Sequence, residues 1–389
     1  MRWLGWFVVL VLVMAVGAQQ PPAAVRPRLL VDDEFRPTLT AIDRGLEYLR
    51  KNQNANGSWS TKFGGANFAD PWAQNPRAPK ANVQGDFAIT ALSIMAFLSA
   101  GHVPGEGPYG DSLTAGVQWM LENQQRDGRL CPTNGTEMYH HGICTLMLAE
   151  VVGMTSGTYS ERLREGLERA VIVILTAQRR GNARLGQNSM AGGWRYSVND
   201  AGFQGSDLSV TGWQLMALRS AKNVGCDVPV ENIQAAIDYV KRSQDARSGG
   251  FQYQPGGQVT VPCTGVGVLC LELSGKDYHQ CDEALRGGAY ILAKSQENQA
   301  HYYYGVYYMS QAMFQLGGNY WSAFRTKLHK NLLVLNAPLG DGSWPTVGDG
   351  GMYGGNYTTA MAILALTVEY RYLPIYQRFE EPLERDGKE

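Results

Sequence analysis

Six times along this 389-residue chain, an amphipathic helix-like segment leads through a turn into a second, more apolar one. Most of those turns are rich in Gly and aromatic residues. The tightest is Asn56-Gly57-Ser58-Trp59, preceded by Gln53, and Asp341-Gly342-Ser343-Trp344 repeats it nearly three hundred residues later. No other feature constrains the fold as strongly, because a unit of this size cannot bury its apolar face alone and must stack on its neighbours. The first segments are 41–53, 113–125, 163–178, 233–244, 284–296 and 324–335. They carry charge on one face and apolar residues at i, i+3, i+4 and i+7, as outer helices do. The second segments, such as 86–98 and 207–218, are apolar nearly all round, as helices buried on several sides are. Neither end of the array shows a polar capping unit, so closure is expected. The prediction is an all-α fold, an α6/α6 toroid with a cavity at its centre. In each turn Gln is expected to bond across to the next unit and Gly to permit the reversal. Trp is expected to pack between units while its indole N–H finds a partner.

Hydrophobic residues make up 44% and charged residues 18%, a folded and soluble composition. The net charge is −1 and no Lys/Arg run exceeds a pair, which argues against a nucleic-acid partner. After Arg2, an apolar run from Trp3 to Ala18 ends in small residues and is followed by Gln19-Gln20-Pro21-Pro22. This has the form of a signal peptide, shorter than the roughly 20 residues that span a bilayer. Export to the periplasm or medium is expected, with no stable membrane span after cleavage. The alternative is an anchor formed by an uncleaved N-terminal segment. The reading divides the chain into a signal peptide (1–18), a Pro-rich lead-in (19–39), one toroid domain (40–375) and a polar C-terminal tail (376–389). The six Cys contain no C-x-x-C pair. Cys226 and Cys281 follow the inner segments of adjacent units and could be bridged, whereas Cys263 and Cys270 read as small buried hydrophobes. Asn-x-Ser/Thr sequons occur at Asn56, Asn134 and Asn356.

Outer–inner pairs joined by Q-x-x-x-G-S-W-like turns (Gln53 to Trp59, Gln124 to Gly128, Gln244 to Phe251, Gly342 to Trp344) resemble the terpenoid cyclase and protein prenyltransferase superfamily. Within it, the chain is most similar to squalene-hopene cyclase-like proteins with prenyltransferase/squalene-oxidase repeats, over roughly residues 40–375. The resemblance implies chemistries that the residues do not supply. The alkene-protonating D-x-D-D motif would fall on Asp86-Phe87-Ala88-Ile89-Thr90 or Asp207-Leu208-Ser209-Val210-Thr211, where only the first Asp remains. The prenyltransferase zinc ligands would fall on Val261-Pro262-Cys263 and Tyr357, leaving Cys263 alone of three, and one ligand does not hold zinc. Asp32-Asp33-Glu34 lacks the last Asp of a magnesium–diphosphate motif, and G-C-G-E-Q is absent. No metal or other cofactor is expected.

The candidate catalytic residues are Asp86, His141, Asp207 and Tyr357. Asp86 and Asp207 stand at helix starts, where Asp also serves as an N-cap. His141, beside His140, is expected to point inward from the same rim, either as an acid/base or as a hydrogen-bonding rim residue. Tyr303, Tyr304, Tyr307 and Tyr308, next to Tyr302, form the densest aromatic cluster. With Trp213, Cys263 and Tyr357 they could line a ligand cavity or simply fill it. The leading reading is an exported toroid that binds a small molecule, a glycan or a protein. The alternative is an enzyme with a non-standard central site, either isoprenoid cyclase- or transferase-like or polysaccharide-active, drawing also on Tyr307 and Cys263. An isoprenoid site predicts a wholly apolar cavity floor, and a glycan site predicts mixed polar and aromatic walls.

Overall fold

A computed structural model describes residues 36–61, 86–131, 136–179, 190–198, 205–295 and 301–377. The signal-peptide reading, Asp32 to Glu34, Asn134 and the tail beyond Gln377 lie outside the described residues. Unit one comprises α1 (Arg36–Lys51) and α2 (Phe87–Ser99), unit two α3 (Gly110–Glu122) and α4 (Glu137–Met154), and unit three α5 (Gly157–Ala177) and α6 (Leu208–Asn223). Unit four comprises α7 (Val230–Arg242) and α8 (Val261–Glu272), unit five α9 (Asp282–Lys294) and α10 (Tyr302–Leu316), and unit six α11 (Gly318–Lys330) and α12 (Gly350–Leu366). Among the described residues no strand forms beyond isolated bridges at the turns.

The periodicity dictates the two layers. Helix α1 buries Ala41, Ile42, Gly45, Leu46 and Leu49 on one face, whereas every residue of α8 is buried. Inner helices pack in chain order, α2 on α4, α4 on α6, α6 on α8, α8 on α10 and α10 on α12, and α12 returns to α2. Outer helices seat in the grooves outside, α1 against α12 and α2, α5 against α4 and α6, α7 against α6 and α8. The result is an α/α toroid. At the seam Arg44 donates to the carbonyls of Leu339 (2.7 Å) and Gly340 (3.2 Å).

The turns join the units. Gln53 donates its amide both to Gly57 O in its own turn and to Ser112 O on the next outer helix. Gln124, Gln178 and Gln244 repeat this, reaching Gly166, Asn232 and Glu283 respectively. The indoles of Trp59, Trp194 and Trp344 donate back to Leu49, Ile174 and Leu332 (2.7, 2.8 and 3.0 Å). Each satisfies a carbonyl where its own outer helix runs out of intrahelical donors, in unit six on the π-turn Asn331–Leu335 that continues α11. The aromatic ring then rests on a helical glycine of the next unit. A Cβ at Gly116 would lie 2.9 Å from Trp59, one at Gly45 2.7 Å from Trp344, and one at Gly287 3.2 Å from Phe251. Mid-helix glycine costs about 1 kcal/mol relative to Ala, a penalty offset here by the large ring it seats.

Beyond α12 the chain forms two short 3-10 turns, Val368–Tyr370 and Pro374–Tyr376, and crosses the mouth framed by the C-terminal ends of the inner helices. Tyr376, read from sequence as the start of a polar tail, is buried instead. Its hydroxyl meets that of Tyr307 at 2.6 Å, and Gln315 donates to its carbonyl. From there an aromatic column fills the axis. Tyr307 stacks on Trp213 (centroids 5.5 Å apart, 9° between planes), Trp213 meets Tyr308 edge-on at 5.3 Å, and Tyr308 packs on Tyr304 at 4.8 Å.

Candidate functional site

The opposite mouth is built from the inner-helix N-termini. Asp86 caps α2 by accepting from Ile89 N (3.0 Å), Asp207 caps α6 from Val210 N (2.9 Å), and Thr260 caps α8 from Cys263 N (3.2 Å). Helix α10 is capped from the next unit, because Asp349 accepts from the Tyr303 and Tyr304 amides and from the Tyr357 hydroxyl (2.7 Å). One turn into α2, α6 and α8, and one turn beyond the kink at Gly354 in α12, a hydroxyl recurs. Thr90, Thr211, Thr264 and Thr359 accept the backbone N–H of Trp59, Trp194, Phe251 and Trp344 at 2.9 to 3.1 Å. In unit two the same task falls to His141, whose Nδ1 accepts from Leu130 N at 3.1 Å. Its Nε2 bonds Ala170 O on α5 at 2.9 Å, so the ring faces the outer layer, not the centre as expected from sequence.

Burial holds the His141 pKa down from 6.5 to about 4, so the ring is neutral when folded. The unfolded chain binds a proton near pH 6.5 that the folded chain refuses until about pH 4. The stability this group contributes is therefore full above 6.5 and is lost as pH falls towards 4. His141→Asn keeps an acceptor for Leu130 and removes the titration. It is expected to cost about 1.5 kcal/mol at pH 7 through the unpaired Ala170 carbonyl. The wild-type advantage should shrink by about 3 kcal/mol between pH 7 and pH 4 and reverse sign. Urea unfolding of both proteins at the two pH values measures this, and an unchanged difference would refute a neutral buried imidazole.

Asp207 is the centre of a polar cluster. It is fully buried, and its carboxylate accepts from the Ser209 hydroxyl (2.7 Å) and Arg195 (3.0 Å) as well as from the Val210 amide. Burial pushes its carboxyl up, outweighing the downward pull of those partners. Arg195 also donates to the Tyr253 hydroxyl (2.9 Å) and lies over the rings of Tyr196 and Tyr253, 4.8 and 5.5 Å from their centroids. The hydroxyls of Tyr196 and Tyr253 share a 2.5 Å hydrogen bond. Tyr139 stacks on Tyr196 at 5.7 Å and donates to Ser209 at 2.6 Å. Arg195, Tyr196, Tyr253 and Tyr139 were not singled out by sequence reasoning. The available signal was the Tyr two residues after the turn aromatic in both Trp194-Arg195-Tyr196 and Phe251-Gln252-Tyr253.

Of the sequence candidates, Asp207, Cys263 and Tyr304 come together on this rim. Burial, with the nearby Asp207 charge adding to it, raises the Cys263 thiol to about 12. Tyr304, Tyr307, Tyr308 and Trp213 lie on the axis, whereas Tyr303 turns away and donates to Pro345 O at 2.7 Å. Asp86 sits beside His140 (3.6 Å), apart from the Arg195–Asp207 pair. Among the described residues, the buried Trp213 Nε1, Tyr308 hydroxyl and Gln311 Oε1 have no hydrogen-bond partner. Cys226 and Cys281 are free thiols, Cys226 near Arg164 and Cys281 near Lys241. Asn356 is buried and donates to Ser60 O (2.9 Å), so the folded chain does not present it as a glycosylation acceptor. Among the described residues no helix is long and apolar enough to cross a membrane.

No protein-family profile and no curated protein sequence matches the chain. Solved structures do. The type II terpene cyclase MstE from Scytonema aligns over 87% of this chain and 99% of its own, at 15% identity and a TM-score of 0.53. Cellobiose 2-epimerase from Bacillus thermoamylovorans aligns over 86% and 100%, at 11% identity and a TM-score of 0.59. An alpha-amylase from Clostridium perfringens aligns over 84% and 97%, at 10% identity and a TM-score of 0.54. Identities this low speak for the fold alone. Together with the closed succession of inner helices, they identify the chain as having an α/α-toroid, terpenoid-cyclase-like fold.

Proposed function

We propose that the chain is an exported, carbohydrate-binding toroid whose ligand sits at the inner-helix N-terminal mouth and points along the aromatic axis. The observation that carries this reading is the mixed lining of that mouth, where Tyr139, Tyr196 and Tyr253 surround the Arg195–Asp207 pair. Aromatic faces stack on the apolar side of a sugar ring, and the half-buried Arg195 with the Tyr196 and Tyr253 hydroxyls, held from beneath by Asp207, exchanges hydrogen bonds with its edge. An isoprenoid would make no use of these polar groups, which already pair with one another. Two of the structural neighbours bear names of carbohydrate-active enzymes, which is consistent with this preference. Export rests on the apolar N-terminal run and the small residues that end it.

Titration calorimetry with soluble cello-, malto- and xylo-oligosaccharides tests the reading. Binding is expected for one class, weakened at least tenfold by Tyr196→Ala or Tyr253→Ala, which corresponds to about 1.4 kcal/mol or more. No heat from any of them at millimolar sugar would sink the proposal. A second reading, an enzyme acting on such a ligand, is favoured by the raised carboxyl of Asp207, since buried and perturbed acids mark catalytic sites. Turnover abolished by Asp207→Asn, with binding retained, would support it.

A further inference from the structure

We propose that the Tyr372–Tyr376 segment is a plug that closes the far mouth of the ring and is released when Glu150 ionises, so that access to the foot of the aromatic column is switched by pH. The regulation of the site rests on the binding reading above; the plug itself does not. The segment crosses the mouth against one inner helix after another. The ring of Tyr372 lies against Gly101 after α2, where a Cβ would approach it to 3.0 Å, and Pro374 packs equally close to Gly153 on α4. The Ile375 N–H donates to Glu150 Oε2 at 3.2 Å, and Tyr376 reaches up the axis to Tyr307. The start of the segment is held separately, because Glu369 accepts from Trp321 Nε1 (3.0 Å) and Arg325 (3.2 Å) on α11. Arg371 then takes the left-handed conformation (φ 52°), a local bend between the anchored and the plugging parts.

Glu150 is fully buried on α4, and its other oxygen shares a short hydrogen bond with the Ser220 hydroxyl of α6. No cation pairs with it among the described residues. The titratable groups facing it are Tyr307 from α10 and Tyr376 from the plug itself, both neutral through the physiological range. Protonated, the acid fits this setting, since one oxygen shares its proton with Ser220 and the other accepts from Ile375. Ionised, it is a buried charge with two neutral donors, and lifting the plug is the route by which water reaches it. Burial pushes its carboxyl up from 4.5 to about 7, which puts the change near neutrality. If the opened carboxylate returns to 4.5, the open fraction rises about tenfold between pH 6 and pH 8.5.

Hydrogen–deuterium exchange on the full chain, corrected for the intrinsic rate, reads this out without any ligand. Peptides covering 372–376 should lose protection about tenfold from pH 6 to pH 8.5, with a midpoint near 7, while the inner helices stay protected. Glu150→Gln should hold the pH 6 protection at pH 8.5. Tyr376→Phe, which loses only the hydroxyl bond to Tyr307, should raise exchange at both pH values and keep the pH dependence. PH-independent protection in the wild type, or the same loss in Glu150→Gln, would overturn the latch. Should Glu150→Gln fail to fold, the wild-type midpoint and the Tyr376→Phe pattern still decide. Oligosaccharide affinity measured at the same two pH values tests the binding reading separately. Exchange that switches in a protein that binds no sugar leaves the plug standing and removes only the ligand assignment.

Discussion

Replacing Trp59 with Ala is expected to destabilise the protein by about 4 kcal/mol, the upper range for truncating a buried aromatic residue. Three losses combine. The fully buried indole leaves a cavity between unit one and unit two, because its ring rests on Gly116 of the next outer helix. The Leu49 carbonyl loses its 2.7 Å donor in a place water does not reach. The contact with Phe97, at 6.3 Å between centroids, goes as well. Trp59→Phe should cost only about 1.5 kcal/mol, mainly for the lost N–H, since unit four carries Phe251 in the same position. Chemical denaturation of both variants separates the contributions. A loss below about 1.5 kcal/mol for Trp59→Ala would mean that the turn is not the joint between units.

Gly57→Ala, one residue pair earlier, is expected to cost about 3 kcal/mol for two distinct reasons. Its backbone is left-handed (φ 89°), which a side chain penalises by about 1 to 2 kcal/mol. In addition, the new methyl would stand 2.4 Å from the Ala115 carbonyl oxygen of α3, so the two units must part. Gly105 provides the control. It is also left-handed (φ 79°), but a Cβ there meets nothing within 4 Å. Gly105→Ala should therefore show the conformational cost alone, about 1 kcal/mol. Equal melting-temperature losses for the two variants would show that backbone conformation, not the approach of unit two, fixes Gly57.

The repeat was legible because its signals are local. Helical periodicity, the Gln before the turn and the Trp after it all fall within one unit, and the structure uses Gln and Trp as expected. The glycines at 45, 116 and 287 also recur, but their partner is the aromatic of the preceding unit, so their role appears only once the ring closes. His141 was misoriented for a rotational reason. The acceptor of the turn amide is the fourth residue of α2, α6 and α8 but the fifth of α4. Matched by their first residues, the helices set His140 rather than His141 beside the threonines, one residue or about 100° of helix away, which hides the equivalence. The Arg195 cluster draws residues from three units, Tyr139 from unit two, Arg195 and Asp207 from unit three and Tyr253 from unit four, so the repeated Tyr after the turn aromatic hints at it without showing which residues meet. Tyr376 looked like a tail residue because its neighbours Arg371 and Gln377 are polar and its burial depends wholly on distant helices.

The Arg44–Leu339 seam has a consequence for how the molecule comes apart and together. A row of six stacked units has five joints and two loose ends, whereas the closed succession of α2 to α12 back to α2 has six joints and none. Open arrays fray from their termini one unit at a time. This chain is a buckled belt, in which the first opening anywhere must break a joint bonded on both sides. The buckle itself unites residues 295 positions apart, the most demanding kind of contact to form by diffusion of the chain. The contact that closes the ring is therefore expected to form late, after the local joints that it locks in place.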